Sequence, residues 1–125
     1  MTTLIQRIEN GSLAVAILVA TIALQQPWWL LLAAFLLFDL SALGYLRSPR
    51  TGALTYNLVH NYTGPALAMS LYLVLVLLDH QVTWLALLAG CWAFHVAVDR
   101  ALGYGLKLDD FTHTHLGRIG RGSGT

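Results

Sequence analysis

Four apolar stretches, at about residues 11–26, 27–46, 53–78 and 82–106, fill most of a 125-residue chain. The connections between them are only a few residues long. A bilayer's hydrocarbon core is about 30 Å thick and takes roughly 20 apolar residues as helix. A soluble fold this small has no interior large enough to hide four such stretches. Only 10% of the residues are charged, where soluble domains carry roughly 25%. The mean hydropathy is +0.64. The pattern predicts an all-α membrane protein: an antiparallel four-helix transmembrane bundle, one domain over residues 1–125, with 107–125 as a tail.

Charge and cysteine remove further classes. Seven Lys/Arg against six Asp/Glu leave a net charge of +1, which is no basic face for nucleic acid. Low charge with high hydropathy is the opposite of a disordered composition. A single cysteine, Cys91, rules out an internal disulfide framework and a Cys-rich zinc site.

Topology follows from the connections. Residues 25–27, 47–52 and 79–81 are too short for anything but antiparallel neighbours. Pro27 suits a first helical turn, and Trp28 and Trp29 suit an interfacial belt. Gly64-Pro65 should kink or locally unwind the third helix. Arg7, Arg47, Arg50, Lys107, Arg118 and Arg121 all fall on one side, and residues 25–27 and 79–81 hold no Lys or Arg. The positive-inside rule then makes both termini and the central connection cytoplasmic. No small-x-small cleavage site follows the first apolar run, so it is read as a retained helix.

Ionisable residues within membrane spans are costly and mark function by default. Here they are Asp39, His60, His95, Asp99 and Arg100. Asp39, His60 and Asp99 each lie about seven residues from a cytoplasmic helix end, which is ~10 Å of helix. Three helices therefore bring an Asp, a His and an Asp to one level. His95 lies four residues before Asp99, on the same face and one turn deeper. Asn57, Asn61, Ser41, Tyr56 and Tyr104 lie toward the same side. The polar segment 108–117, with His113 and His115, is placed to fold back as a lid.

Two carboxylates with two or three imidazoles suit zinc, and also manganese or iron. The expected ligands are His60, His95 and Asp99, with Asp39 or His115 completing the set. A remaining Asp, such as Asp39, would act as general base, with Ser41 or Tyr104 as hydrogen-bond donor. Arg100 and Asn57 would face a substrate headgroup. That chemistry suits metal-dependent hydrolysis of a lipid-like amide or ester. Other readings stay open. His95 and Asp99 can simply pair along the helix. Asp39 can pair with Arg47, Arg50 or Arg100, and Arg100 can snorkel to headgroups. Two histidines can ligate haem, or the carboxylates two irons. Asp39, His60 and Asp99 can relay protons in a carrier or in a non-enzymatic subunit, as a homo-oligomer or within a larger complex.

Several stretches together carry a resemblance. They are Phe38-Asp39-Leu40-Ser41, Leu43-Gly44-Tyr45-Leu46, Gly52-Ala53, Tyr56-Asn57 with His60, His95, Asp99-Arg100, Leu102-Gly103-Tyr104-Gly105-Leu106-Lys107 and Thr114-His115-Leu116-Gly117. With them the chain resembles a family of small bacterial membrane proteins, domain of unknown function 4260. The resemblance covers about two-thirds of the chain and implies an inner-membrane, multi-pass location. It favours Asp39, His60, His95, Asp99 and His115, and then His113, without carrying an activity. The chemistry is also similar to that of intramembrane zinc hydrolases of the alkaline ceramidase type, which combine Ser, Asp and three His. Those use seven helices, and their His-x-x-x-His pair stands here as His95-x-x-x-Asp99.

Overall fold

A computed structural model describes residues 1–104, 106, 113–114 and 117–118. Its helices are α1 (Thr2–Ala23), α2 (Trp29–Ala33), a 3-10 helix (Phe35–Leu46), α3 (Pro49–Val59), α4 (Thr63–Leu77) and α5 (Thr83–Leu102). Beyond α5, His113–Thr114 pairs antiparallel with Gly117–Arg118, His113 opposite Arg118. Among the described residues, three helices are long and apolar enough to cross a membrane: Thr2–Ala23, the continuous Trp29–Leu46 and Thr83–Leu102.

The first helix differs from the expected 11–26 by starting nine residues earlier, at Thr2. Nothing between Thr2 and Gly11 breaks a helix, and two of the polar residues there have distant partners. Arg7 Nε donates to Ala101 O at 2.8 Å, at the far end of α5. Asn10 Oδ1 accepts from the Tyr62 hydroxyl. The last helix ends at Leu102, short of the expected 106, because Gly103 takes a left-handed backbone (φ 98) there.

The second span changes its winding. After Ala34 it continues as a 12-residue 3-10 helix. At about 2.0 Å per residue this covers about 24 Å, where an α-helix of that length covers about 18 Å. The stretched winding carries Asp39.

The third stretch is two helices, where a single helix over 53–78 was expected. Ser48 caps α3, its Oγ accepting from Thr51 N at 3.0 Å, with Pro49 in the first turn. The chain then breaks over residues 60–62, ahead of Gly64-Pro65. Pro65 has no N–H for the Asn61 carbonyl, and its ring clashes there, so the break falls one turn upstream of the proline. The freed groups find partners. Asn61 Nδ2 donates to Asn57 O (2.6 Å), Asn61 Oδ1 accepts from Thr63 N (2.8 Å), and Trp92 Nε1 donates to Val59 O (2.6 Å). Such repair is what lets a helix break inside a membrane.

α5 is the centre of the fold. It packs against α1 on one side and α4 on another, and touches α2 and the 3-10 helix. α3 packs against the 3-10 helix. Leu31, Cys91, Phe94 and Ala97 join Ala14 in the buried core. Elsewhere, large apolar side chains such as Leu36, Leu37, Leu67 and Leu77 face outward, as they do on helices solvated by lipid.

Candidate metal centre

Four of the five ionisable residues singled out in the sequence meet at one point. Asp39 comes from the 3-10 helix, His60 from the C-terminal cap of α3, and His95 and Asp99 from α5. His60 Nε2 and His95 Nε2 are 2.9 Å apart. Asp39 Oδ1 lies 3.2 Å from His60 Nε2 and 3.1 Å from His95 Nε2. Asp99 Oδ2 lies 3.3 Å from each of the same nitrogens. No pair among the four donor atoms is more than 4.8 Å apart. Side-chain exposure is 0% at His95, 2% at His60, 11% at Asp99 and 43% at Asp39. The cluster is therefore closed on three sides and open beside Asp39.

The helix break sets His60. Its ring lies parallel on Tyr56, centroids 3.7 Å apart, and its Nδ1 is 3.0 Å from Tyr56 O. A carbonyl only accepts, so Nδ1 carries the proton and a neutral His60 offers a bare Nε2. Ser41 Oγ is 3.3 Å from the same Nδ1 and donates to Phe38 O at 2.9 Å. The Tyr56 hydroxyl donates to Asp99 Oδ2 at 3.2 Å. His95 is packed between Phe35 and Phe38, with ring centroids at 4.2 and 5.5 Å. Its Nδ1 is buried without a partner among the described residues.

Proton counting shows what this arrangement demands. Five close contacts join the four donor atoms. Each Nε2 can hold one hydrogen, and an ionised carboxylate holds none. With both carboxylates ionised, protons therefore make at most two linear hydrogen bonds among these contacts, and the rest are short approaches with no hydrogen of their own. A cation at the centre satisfies all four atoms together. Tetrahedral zinc, with bonds of about 2.0 Å, separates its ligands by about 3.3 Å. The five separations here, 2.9 to 3.3 Å, lie at or just under that value. The donor set of two imidazoles and two carboxylates also suits manganese and iron.

The remaining site residues fall elsewhere. Ser41 stands behind His60, on the Nδ1 side, away from the point where the donors meet. Tyr104 follows the end of α5, exposed, with its backbone N–H on Asp99 O at 2.8 Å. Asn57 lends its carbonyl to the repaired break. Arg100 points away from Asp99 and lies over the Tyr62 ring, 5.0 Å from its centroid. His115 and most of the predicted lid lie outside the described residues. Two contributors were not read as such from the sequence. Tyr56 holds Asp99 and His60, and its place one turn before His60 was the available signal. Trp92 closes the break, and only its position one turn before Val96 on the α5 interior hints at that.

No curated protein and no solved structure matches this chain. A family model does match, over residues 3–119. That match takes in all four cluster residues and every described helix except the first residue of α1. The chain thus belongs to the family described as domain of unknown function DUF4260.

Proposed function

We propose that this is a multi-pass protein of the bacterial inner membrane that holds one divalent metal, zinc by preference, and hydrolyses a lipid-like amide or ester. The convergence of four donor atoms, with more short contacts than protons can satisfy, carries the metal reading. The distribution of Arg7, Arg47 and Arg50 supports a cytoplasmic placement of the site and of the termini. The bond from Arg7 to Ala101 O supports an antiparallel pairing of α1 with α5.

A divalent metal there would supply Lewis acidity and an activated water. The chain's own residues divide the remaining work. His60, His95 and Asp99 hold position from the buried side. Tyr56 fixes two of them, through its carbonyl and its hydroxyl. In a hydrolytic state Asp39, on the open side, would give up its place among the four donors and accept a proton from the incoming nucleophile instead. A haem does not fit, because two Nε2 atoms 2.9 Å apart leave no room for a macrocycle between them.

Elemental analysis of the detergent-purified full chain tests the metal directly. Wild type is expected to carry about one zinc, manganese or iron per chain, and His60→Ala/Asp99→Ala close to none. A folded wild type that stays metal-free with metal supplied would overturn the reading and leave a hydrogen-bond network. Release of fatty acid from amide- and ester-linked lipids, lost on chelation, tests the hydrolysis.

A further inference from the structure

The cluster occupies one face of α5, and the opposite face holds a cavity of about 630 Å³. That volume is within the ~300–1,000 Å³ range of small-molecule sites. α1, α4 and α5 wall it with residues such as Ile17, Met69, Ala86 and Gly90. None of the lining side chains is charged. It runs from Leu24 and Thr83, near the two outer turns, to Tyr62 at the head of α4. Leu24 and Met69 are exposed, so the cavity opens sideways onto the apolar surface.

At Tyr62 the chemistry changes. The Tyr62 hydroxyl donates to Asn10 Oδ1, and the Arg100 guanidinium lies over its ring. Arg100 Nε is buried without a hydrogen-bond partner. Every ion pair among the described residues lies in the Asp/His cluster, so no described carboxylate pairs with Arg100. Arg7 is held at the same end of α5. A cation with an unmet donor and no described carboxylate partner therefore sits behind Tyr62, at the polar end of an apolar cavity.

We propose that this is a second site, separate from the metal centre, which binds an anionic lipid taken from the bilayer. An acyl chain fills the cavity, and the headgroup lies against Arg100 with Arg7 nearby. Snorkelling of Arg100 explains the charge alone; a bound anionic amphiphile explains the charge and the cavity together. The site does not depend on whether the cluster holds metal.

Native mass spectrometry of the purified full chain tests it. The chain is offered equal amounts of phosphatidylglycerol and phosphatidylcholine with the same acyl chains. Wild type is expected to retain phosphatidylglycerol about five-fold better, the fold-change that one Arg near an anionic headgroup gives. Arg100→Gln should abolish the preference. Gly90→Phe should reduce retention of both lipids, because a side chain there enters open space in the cavity wall. Equal retention of the two lipids by wild type would overturn the proposal, and that comparison needs no variant to fold. So would undiminished retention by a folded Gly90→Phe chain. Loss of the preference in millimolar inorganic phosphate would make this a free-anion site and would also overturn it.

Discussion

Toward the 3-10 helix and α3, α5 presents His95 and Asp99; toward α1 and α4 it presents Ala86, Gly90 and Ala93. On the first face the polar atoms are crowded together and fixed by aromatic rings, and at its border with the head of α4 Trp92 lies so close that Gly64 has room for no side chain. On the second face small residues leave a void with no charged lining, and Arg100 lies beyond its end over the Tyr62 ring. Both faces belong to one 20-residue helix. The difference comes from side-chain volume. Gly90, Ala86, Ala89 and Ala93 are too small to fill the space between their neighbours, whereas His95, Trp92 and Phe94 fill theirs.

The contrast can be broken most forcefully on the crowded face. If a metal ties that face together, stripping it should cost about 4 kcal/mol of stability at metal a thousand-fold above Kd. Thermal unfolding with and without chelator measures this, and His95→Ala should melt like the stripped wild type with no response to metal. Unchanged melting on stripping would make the face a polar packing contact. Tyr56→Phe comes next. It removes the hydroxyl that holds Asp99 but keeps the ring on His60, so metal affinity should fall about 10–100-fold while the fold survives. Competition against a metal indicator reads that loss.

Two glycines then compare the faces directly. A Cβ at Gly64 overlaps the Trp92 indole, and Trp92 is pinned by Val59 O and by stacking on Phe38. Gly64→Ala should therefore destabilise by about 1–3 kcal/mol. Gly90→Ala meets nothing within 4 Å and should be neutral or stabilising by up to about 1 kcal/mol. Denaturation of both variants under one set of conditions settles the pair. Equal costs would mean that the cavity face is as tightly packed as the other.

The site was more legible than the backbone that builds it. Asp39, His60 and Asp99 could be matched because charged groups inside apolar stretches are rare, and a ruler of residues per turn sets their level. The ruler was wrong for Asp39, which stands in a 3-10 helix with a longer rise, yet the residue still reaches the cluster. The break was tied to Gly64-Pro65 but falls a turn earlier, since proline disrupts the turn that precedes it. That shift matters, because it makes His60 a helix end instead of a mid-helix residue. The start of α1 was hidden because Arg7 looks like a solvated flank, and only the distant partners of Arg7 and Asn10, Ala101 and Tyr62, explain a helix there. The division between Asp99 and Arg100 was latent in the sequence, since adjacent helical residues point about 100° apart.

The break over residues 60–62 also separates electrical poles. α3 ends at the residue whose ring supplies one of the four donor atoms, so the partial negative charge of that helix's dipole lies against the cluster. α4 begins one residue after Tyr62, so its partial positive charge lies toward the ring that carries Arg100. A continuous helix would have cancelled both charges there. Interrupted, it lends one side of the protein a backbone field for cations and the other a field for anions, before any side chain is counted.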